Sequence, residues 1–478
     1  MTHAVRVFEP HGFDSPKHFY PEVLNAHIHP LVKFFFSMSN ERIARRYAHL
    51  HPDASIDAIC EALEHTPEHM RWGGADLFYT TSEHGVRQMV LIETNSSPSG
   101  QKSMPVLDDW QEQGGYRLLL ERAFLPMLRR RRGVRDGVLA VLYDKNEVET
   151  TGYAATLSTL TGEKVYLVPW RHDDVDPPAR VENGVIWIRH EEEWLPVRGA
   201  IKYVTQRPWS RIPPVTKTLI LNSTLVCLSG GRNKLLAAKA YDLHNAKLEG
   251  TGLKISVPET IWDVSLNEVP LWVERMGGVA VVKVPYSNAG QGVYTITSDD
   301  ELEAFMSEDH RYDKFIVQAL IGNRTWTSRS SSGRLYHVGT VPDRAGNIFV
   351  ADVRLMVGGG DRGFFPVALY ARRAHTPLSE RLGASHDSWS MLGTNLSYKD
   401  GRGEWATDTS RLLLMDSRNF NRLGLGLDDL VEAYIQTVLA MTAIDDMAGR
   451  LLTSKGLFRR RYFGVINEDE RLVQEIVK

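Results

Sequence analysis

The apolar positions of this chain change period several times, and each change marks a change of element. Over the first 70 residues the spacing is helical. LVKFFF is an apolar turn, SNERIARRYAHL follows a cap at Ser39 or Asn40, and HPDASIDAICEALEH places Ile56, Ile59 and Leu63 on one face. The pattern then switches: ADLFYT and VRQMVLIETN, joined by a polar EHG turn, predict a β-hairpin. From 137 to 230 strand and helix alternate. GVLAVLYD is a buried strand, TTGYAATLSTLTG a short helix and EKVYLVPW another strand, followed by GVIWIRH, a hairpin-like turn and TKTLILN. This βαβ rhythm predicts a small, largely parallel sheet.

Gly230-Gly231 opens a helix, RNKLLAAKAYDLHNA, that carries Lys234, and LKISVPETIW reads as a strand. SLNEVPLWVERMG is helical in pattern. VAVVKVPYSNAGQGVYTI, residues 279–296, then forms a hairpin in which an apolar run ends on Lys283 and a pliable segment holds Gly290 and Gly292. The helix DDELEAFMS and the strand KFIVQALI follow. Beyond 324 come β segments at GRLYHVGTV, NIFVADVRLMV and FFPVALYARRA, and a long helix at DDLVEAYIQTVLAMTAIDDM. No internal repeat or low-complexity tract interrupts this order.

Composition narrows the classes. A chain of 478 residues has room for about three domains at ~150 residues each. Its 42% apolar and 24% charged content is that of an ordinary globular protein. The net charge of −3 gives no electrostatic reason to expect nucleic acid or an anionic membrane, and the runs Arg129–Arg132 and Arg459–Arg461 read as solvated surface. Cys60 and Cys227 are too few for a disulfide framework or a cysteine-rich zinc site, and a reducing compartment fits them. With no signal pattern and no apolar run near ~18 residues, a cytoplasmic protein is expected. His27-x-His29 reads as coincidence among 17 histidines.

The hairpin at 279–296 carries the first chemistry. A flexible, amide-rich loop beside a lysine binds phosphate through backbone N–H groups plus one positive charge. The loop leads into a strand, whereas a Rossmann or Walker loop leads into a helix. Lys234, Lys283 and Gln318-Ala319-Leu320 recur in order, and a buried strand can offer its backbone to an adenine edge.

In this combination the chain resembles the ATP-grasp superfamily, through RNKLLAAK, VVKVP, SNAGQGV, DDELEAFM and FIVQALI over residues 231–321. The proline of VVKVP lies one place later than in the usual Val-Lys-Pro. The resemblance implies ATP clamped between two α+β subdomains. Lys234 and Lys283 would contact phosphates, the loop Ser287 to Gly292, including Gly290 and Gln291, would close over them, and Gln318, Ala319 and Leu320 would face adenine. It also implies a catalytic Arg354 beside Asp352 in DVRLMV, and Arg372 or Arg373 as a phosphate or carboxylate ligand. Asn395 would be a substrate contact, or equally a turn residue.

ATP-grasp folds end on a hairpin with an acidic residue, a turn and Glu-x-Asn, whose oxygens suit Mg²⁺. Downstream, Asp416 and Asn419 are three apart and would face opposite sides of a strand. The fitting copy lies upstream: Asp76, a turn, and Glu93-Thr94-Asn95. The resemblance therefore implies a circularly permuted member, with a motif order like that of glutathionylspermidine synthetase and eukaryotic glutathione synthetase. Against this stands an N-cap or turn role for these residues. The neighbouring SSPSGQKS offers Ser97, Ser99 and Lys102 to substrate.

The implied division is 1–130 (helices plus the metal-bearing hairpin), 131–230 (a Rossmann-like substrate domain preceding the ATP-grasp unit), 231–325 (small subdomain) and 326–478 (large subdomain and C-terminal helices). The implied activity is an ATP- and Mg²⁺-dependent carboxylate–amine ligase acting on small molecules, with a homodimer as the default assembly. The alternatives are a phosphotransferase acting on a hydroxyl, and a binding protein with a decayed nucleotide site.

Overall fold

Local capping sets the helices near the N-terminus. The structure, a computed structural model, describes residues 4–108, 110–131, 133–172, 174–205, 211–287, 292–383, 387–399 and 405–476. Ser39 accepts from Arg42 N (3.3 Å) at the start of Asn40–Leu50, and Ser55 does the same for Ile56–Glu64. Their buried residues, Ile43, Tyr47, Ile59 and Leu63, join the main core. Ahead of them Arg6–Phe8 is a strand, antiparallel to Val165–Pro169. The helical expectation for this stretch fails there because a three-residue edge strand is too short to show a period.

The architecture is mixed α and β. Among the described residues the strands form sheets of seven, six, four and two strands. The seven-stranded sheet corrects the expectation of a largely parallel one. Val165–Pro169, Val138–Tyr143, Glu193–Tyr203 and Leu219–Leu221 are parallel, but Ala179–Glu182 and Val185–His190 add an antiparallel meander and Arg6–Phe8 an antiparallel edge.

The six-stranded sheet joins distant parts of the chain. The hairpin Trp72–Ser82 and Arg87–Asn95 is hydrogen-bonded through its first strand to Ala351–Gly360, which continues to Gly363–Arg373 and Leu412–Leu413; Leu335–His337 extends the same edge. Behind it runs the helix Leu427–Arg450, buried round most of its circumference, which explains its nearly continuous apolar sequence. Gly73 lets that helix close in: a Cβ there would fall 3.0 Å from Met441 Sδ.

The four-stranded sheet is wholly antiparallel, in the order Thr260–Ser265, Lys314–Ala319, Ala280–Lys283, Val293–Ile296, over its own core of Val264, Val282, Phe305, Phe315 and Val317. The strand expected at LKISVPETIW begins only at Thr260. The segment before it is held by Gln436 of the long helix, which accepts from Ser256 N (2.7 Å) and donates to Lys254 O (2.9 Å). Among the described residues no helix is long and apolar enough to cross a membrane.

Candidate active site

The cleft lies between the six-stranded and four-stranded sheets, and its floor is set by strand register. Glu93, Asp76, Arg354 and Tyr370 are successive cross-strand partners on four neighbouring strands, so they share one face. In the adjacent row Asp352 stands opposite Arg372. The charges pair closely. Asp76 accepts from Arg354 Nε (2.5 Å) and Nη2 (2.6 Å) and meets Arg372 Nη2 at 2.9 Å, while Arg372 also grips Asp352. Burial alone would raise the Asp76 carboxyl, but the two guanidinium groups hold it well below the usual range.

The roof brings two lysines over this floor. Lys283 ends the strand Ala280–Lys283 and donates to Ile92 O (3.2 Å) on the metal-candidate hairpin. Burial pushes its pKa down to about 8; Lys234 pushes the same way and Glu93 opposes. Lys234 is the first residue of the helix Lys234–Lys247, whose N-cap Asn233 accepts from Leu236 N (3.3 Å). Its Nζ reaches Glu93 Oε1 (3.4 Å), Ser287 Oγ (3.0 Å) and Ser287 O (3.2 Å), so one ammonium ties the hairpin to the start of the loop. At the loop's far end Gly292 has φ +65°, and a Cβ there would lie 2.8 Å from Val284 Cβ. The calls on Gly290 and Gln291 lie outside the described residues.

At the hinge strand Gln318, Ala319 and Leu320 all line the cleft. Gln318 Nε2 donates to Thr260 Oγ1 (2.8 Å). The backbone N–H groups of Ala319 and Leu320 do not face the cavity as open donors: they are taken by Glu259 O (2.8 Å) and Ser328 Oγ (2.7 Å). The next residue, Ile321, also lines the cleft and was not singled out by the sequence.

Asp76, Glu93 and Asn95 share the hairpin face and line a cleft of about 980 Å³, counting the solvent at its mouth. Glu93 and Asn95 fit a magnesium site, because their side-chain oxygens are hard donors two apart on one strand. Asp76 does not fit as an open donor, because both of its oxygens are engaged by guanidinium groups. Among the described residues no cluster of three acidic, histidine or cysteine side chains is poised for a metal.

The substrate candidates divide. Arg372 and Asn395 line the cleft. Arg373 faces away, with its guanidinium 4.5 Å from the Phe349 ring centre. Ser97 turns from the cleft and donates to Lys202 O (3.0 Å), and Ser99 donates to Glu149 (3.2 Å). Asp416 caps the helix Ser417–Leu423 by accepting from Asn419 N (2.8 Å), away from the cleft lining. Arg232 and His337 reach the cavities without having been singled out. The GGRNK context next to Lys234 was the available signal for Arg232.

No protein-family model matches the chain, and no curated protein does. Solved structures similar to it include a RimK domain protein ATP-grasp from Sphaerobacter thermophilus, 14% identical over 48% of this chain and 90% of that one, with a TM-score of 0.28. A glutathione synthetase-like effector from Globodera pallida is 10% identical over 72% and 81% of the two chains, TM-score 0.37. D-alanyl-alanine synthetase A from Vibrio cholerae is 9% identical over 49% and 89%, TM-score 0.31.

Proposed function

We propose that this protein is a circularly permuted ATP-grasp ligase that joins a small-molecule carboxylate to an amine and releases ADP and phosphate. One observation carries the proposal: the Glu93–Asp76–Arg354 ladder, assembled from strands 278 residues apart, lies beneath Lys234 and Lys283. Glu93 and Asn95 would hold Mg²⁺, which would neutralise phosphate oxygens. Lys234 and Lys283 contact the triphosphate, and Ser287 and Gly292 anchor the loop over it. Adenine sits against Gln318 to Leu320, with Ile321 beside them in the cleft lining.

Nε and Nη2 of Arg354 are committed to Asp76, which leaves Nη1 for a ligand in the cleft. A guanidinium fixed in this way balances charge on the phosphoryl group as the substrate carboxylate takes it, and then on the acyl oxygen that becomes an oxyanion when the amine attacks. The amine then displaces phosphate. No side-chain nucleophile is required; the chain supplies position, charge and exclusion of water.

A phosphate-release screen of carboxylates and amines in pairs, with mass spectrometry of the products, tests the reaction. Phosphate released only when both partners are present, with an amide product, is the expected result. A stable phosphorylated product from a single acceptor would instead establish a phosphotransferase. Glu93→Gln should lower turnover by about two to three orders of magnitude. Because Glu93 is part-exposed, with 31% of its side-chain surface accessible, the melting temperature should stay near wild type. A variant with normal turnover would remove Glu93 from the site.

A further inference from the structure

The cleft is polarised along its length. At one end lie its charges, Lys283 on the roof and Glu93 and Arg354 on the floor. Two residues along each strand, on the same face, the lining turns apolar: Val281 precedes Lys283, and Phe78 follows Asp76. Val281 is paired across strands with Thr295 on one side and Gln318 on the other. This row therefore marks the hinge end of the cleft, one step from the lysine row. A nucleoside triphosphate has the same polarity, with a flat, weakly polar base at one end and its charge at the other.

A short helix, Ser388–Leu392, closes the apolar end and is anchored to both walls. Towards the six-stranded sheet, Ser390 O accepts from His375 N and Thr376 N (3.0 Å each), just past the strand Gly363–Arg373. Met391 and Leu392 pack there with Leu320, Val350 and Ala374. Towards the four-stranded sheet, the buried Ser388 Oγ lies 2.5 Å from Thr295 Oγ1 and donates to Glu301. Glu301 is itself fixed, because its other oxygen accepts from Thr297 N (2.7 Å) and Thr297 Oγ1 (2.8 Å). The threonine gripped in this way is the one in the Val281–Gln318 row.

Between these anchors stands Trp389. Asp387 caps the helix by accepting from Trp389 N (3.0 Å) and Ser390 Oγ (2.6 Å), and Trp389 O accepts from Gly393 N (2.7 Å). The ring rests on Gly393, where a Cβ would fall 2.8 Å from Trp389 Cε2. Trp389 nonetheless keeps 36% of its surface exposed, and it lines the cleft. An indole held in place with open surface gains contact area when a flat ring system settles against it.

We propose that the helix Ser388–Leu392 is a latch over the nucleobase: Trp389 stacks on the base of the bound nucleotide, and Ser388 ties that ring to the hinge row of the four-stranded sheet. This rests on the nucleotide assignment of the cleft and adds a binding element distant in sequence from the glycine loop and the hinge. Stacking tolerates any base, because every base has a π face, so Trp389 supplies affinity and not selectivity.

Calorimetry on the full chain with Mg²⁺ tests it, using a non-hydrolysable ATP analogue and inorganic tripolyphosphate, which keeps the charged chain and lacks the base. Wild type should bind the analogue more tightly than tripolyphosphate. Trp389→Ala should weaken the analogue by about tenfold or more and leave tripolyphosphate within about twofold of wild type. Trp389→Phe, which keeps an aromatic ring, should recover most of the loss. Ser388→Ala keeps the indole and cuts its tether, so the analogue's advantage should shrink in the same direction by a smaller factor. Unchanged analogue binding in folded Trp389→Ala would overturn the proposal. So would an equal loss for both ligands, which is the mark of a general disturbance of the cleft. Should Trp389→Ala not fold, a wild-type ratio of the two affinities in Ser388→Ala overturns the latch. Failure of wild type to bind either ligand would bring down the nucleotide assignment itself, a result distinct from tight analogue binding that Trp389 does not affect.

Discussion

On the floor of the cleft, Asp76, Asp352, Arg354 and Arg372 neutralise one another through short, mostly two-pronged contacts, whereas on the roof the buried Lys283 has one backbone carbonyl, Ile92 O, as its hydrogen-bond partner. Arg354, part-buried, and Lys283, buried, are both cations, and their settings differ in kind. Arg354 sits in a closed network that fixes its plane, so its geometry is already set before any ligand arrives. Among the described residues Lys283 donates to a single carbonyl, and burial destabilises it as an ammonium. A buried network that satisfies itself contributes structure; a buried cation that does not is a place where a phosphate gains affinity. On the proposed function, one wall would orient and the other would bind.

Breaking each wall in turn should show the difference, and the largest effect is expected on the floor. Arg354→Ala leaves Asp76 and Asp352 sharing Arg372, and loss of one partner from a buried ion network costs about 3–5 kcal/mol. Turnover should fall by about two to three orders of magnitude as well. Lys283→Met keeps most of the volume and removes a poorly solvated charge, so stability should match or exceed wild type while turnover falls comparably. Urea unfolding with phosphate release on both variants makes the comparison. Equal destabilisation by the two substitutions would show that the walls do not differ in this way.

A smaller effect comes from pH and isolates the roof. The Lys283 pKa is about 8 in the folded protein against 10.5 for an unperturbed lysine. Below pH 8 the group is charged in both folded and unfolded chains, so the cost of burying it is present in full. Between pH 8 and 10.5 the folded protein gives up the proton while the unfolded chain keeps it. Stability relative to Lys283→Met must then rise with pH, by up to about 3 kcal/mol. Nucleotide affinity runs the other way and weakens above pH 8, because only the ammonium attracts phosphate. Unfolding midpoints of both proteins at pH 7 and pH 10 decide the sign. A constant or falling difference would mean that Lys283 is not the strained cation its setting implies.

The two walls were not equally legible in the sequence. The roof is local: Lys283 and Gln318 end apolar runs, Lys234 follows a glycine pair, and a lysine on such a strand or helix start points where its element points. The floor is long-range. Glu93 and Asn95 could be placed on one face from their i,i+2 spacing, but that Asp76 would spend its oxygens on Arg354 depends on pairing between strands 278 residues apart. No periodicity encodes that register. Ser97 was misread for the same reason, since its hydroxyl answers a carbonyl from a strand a hundred residues on. At the hinge, the residue types gave no warning that Ser328 would occupy the Leu320 N–H.

The smallest effect separates the two acidic-and-asparagine pairs that the sequence offered for the metal. Asp416 and Asn419 have the same side chains as Glu93 and Asn95 to within one methylene, but they open a helix instead of ending a strand. The Asp416 carboxylate accepts from Asn419 N at 2.8 Å and from Asn419 Nδ2 at 2.9 Å, so its acceptors are engaged by its own helix. Removing a cap of this kind costs about 1 kcal/mol. Asp416→Ala should therefore lower the urea midpoint slightly and leave both the Mg²⁺ dependence and the rate of phosphate release at wild-type values. Glu93→Gln should do the reverse. A loss of Mg²⁺-dependent turnover in Asp416→Ala, in a protein that remains folded, would transfer the metal to the downstream pair and remove the reason for placing the hairpin at 72–95 in the site.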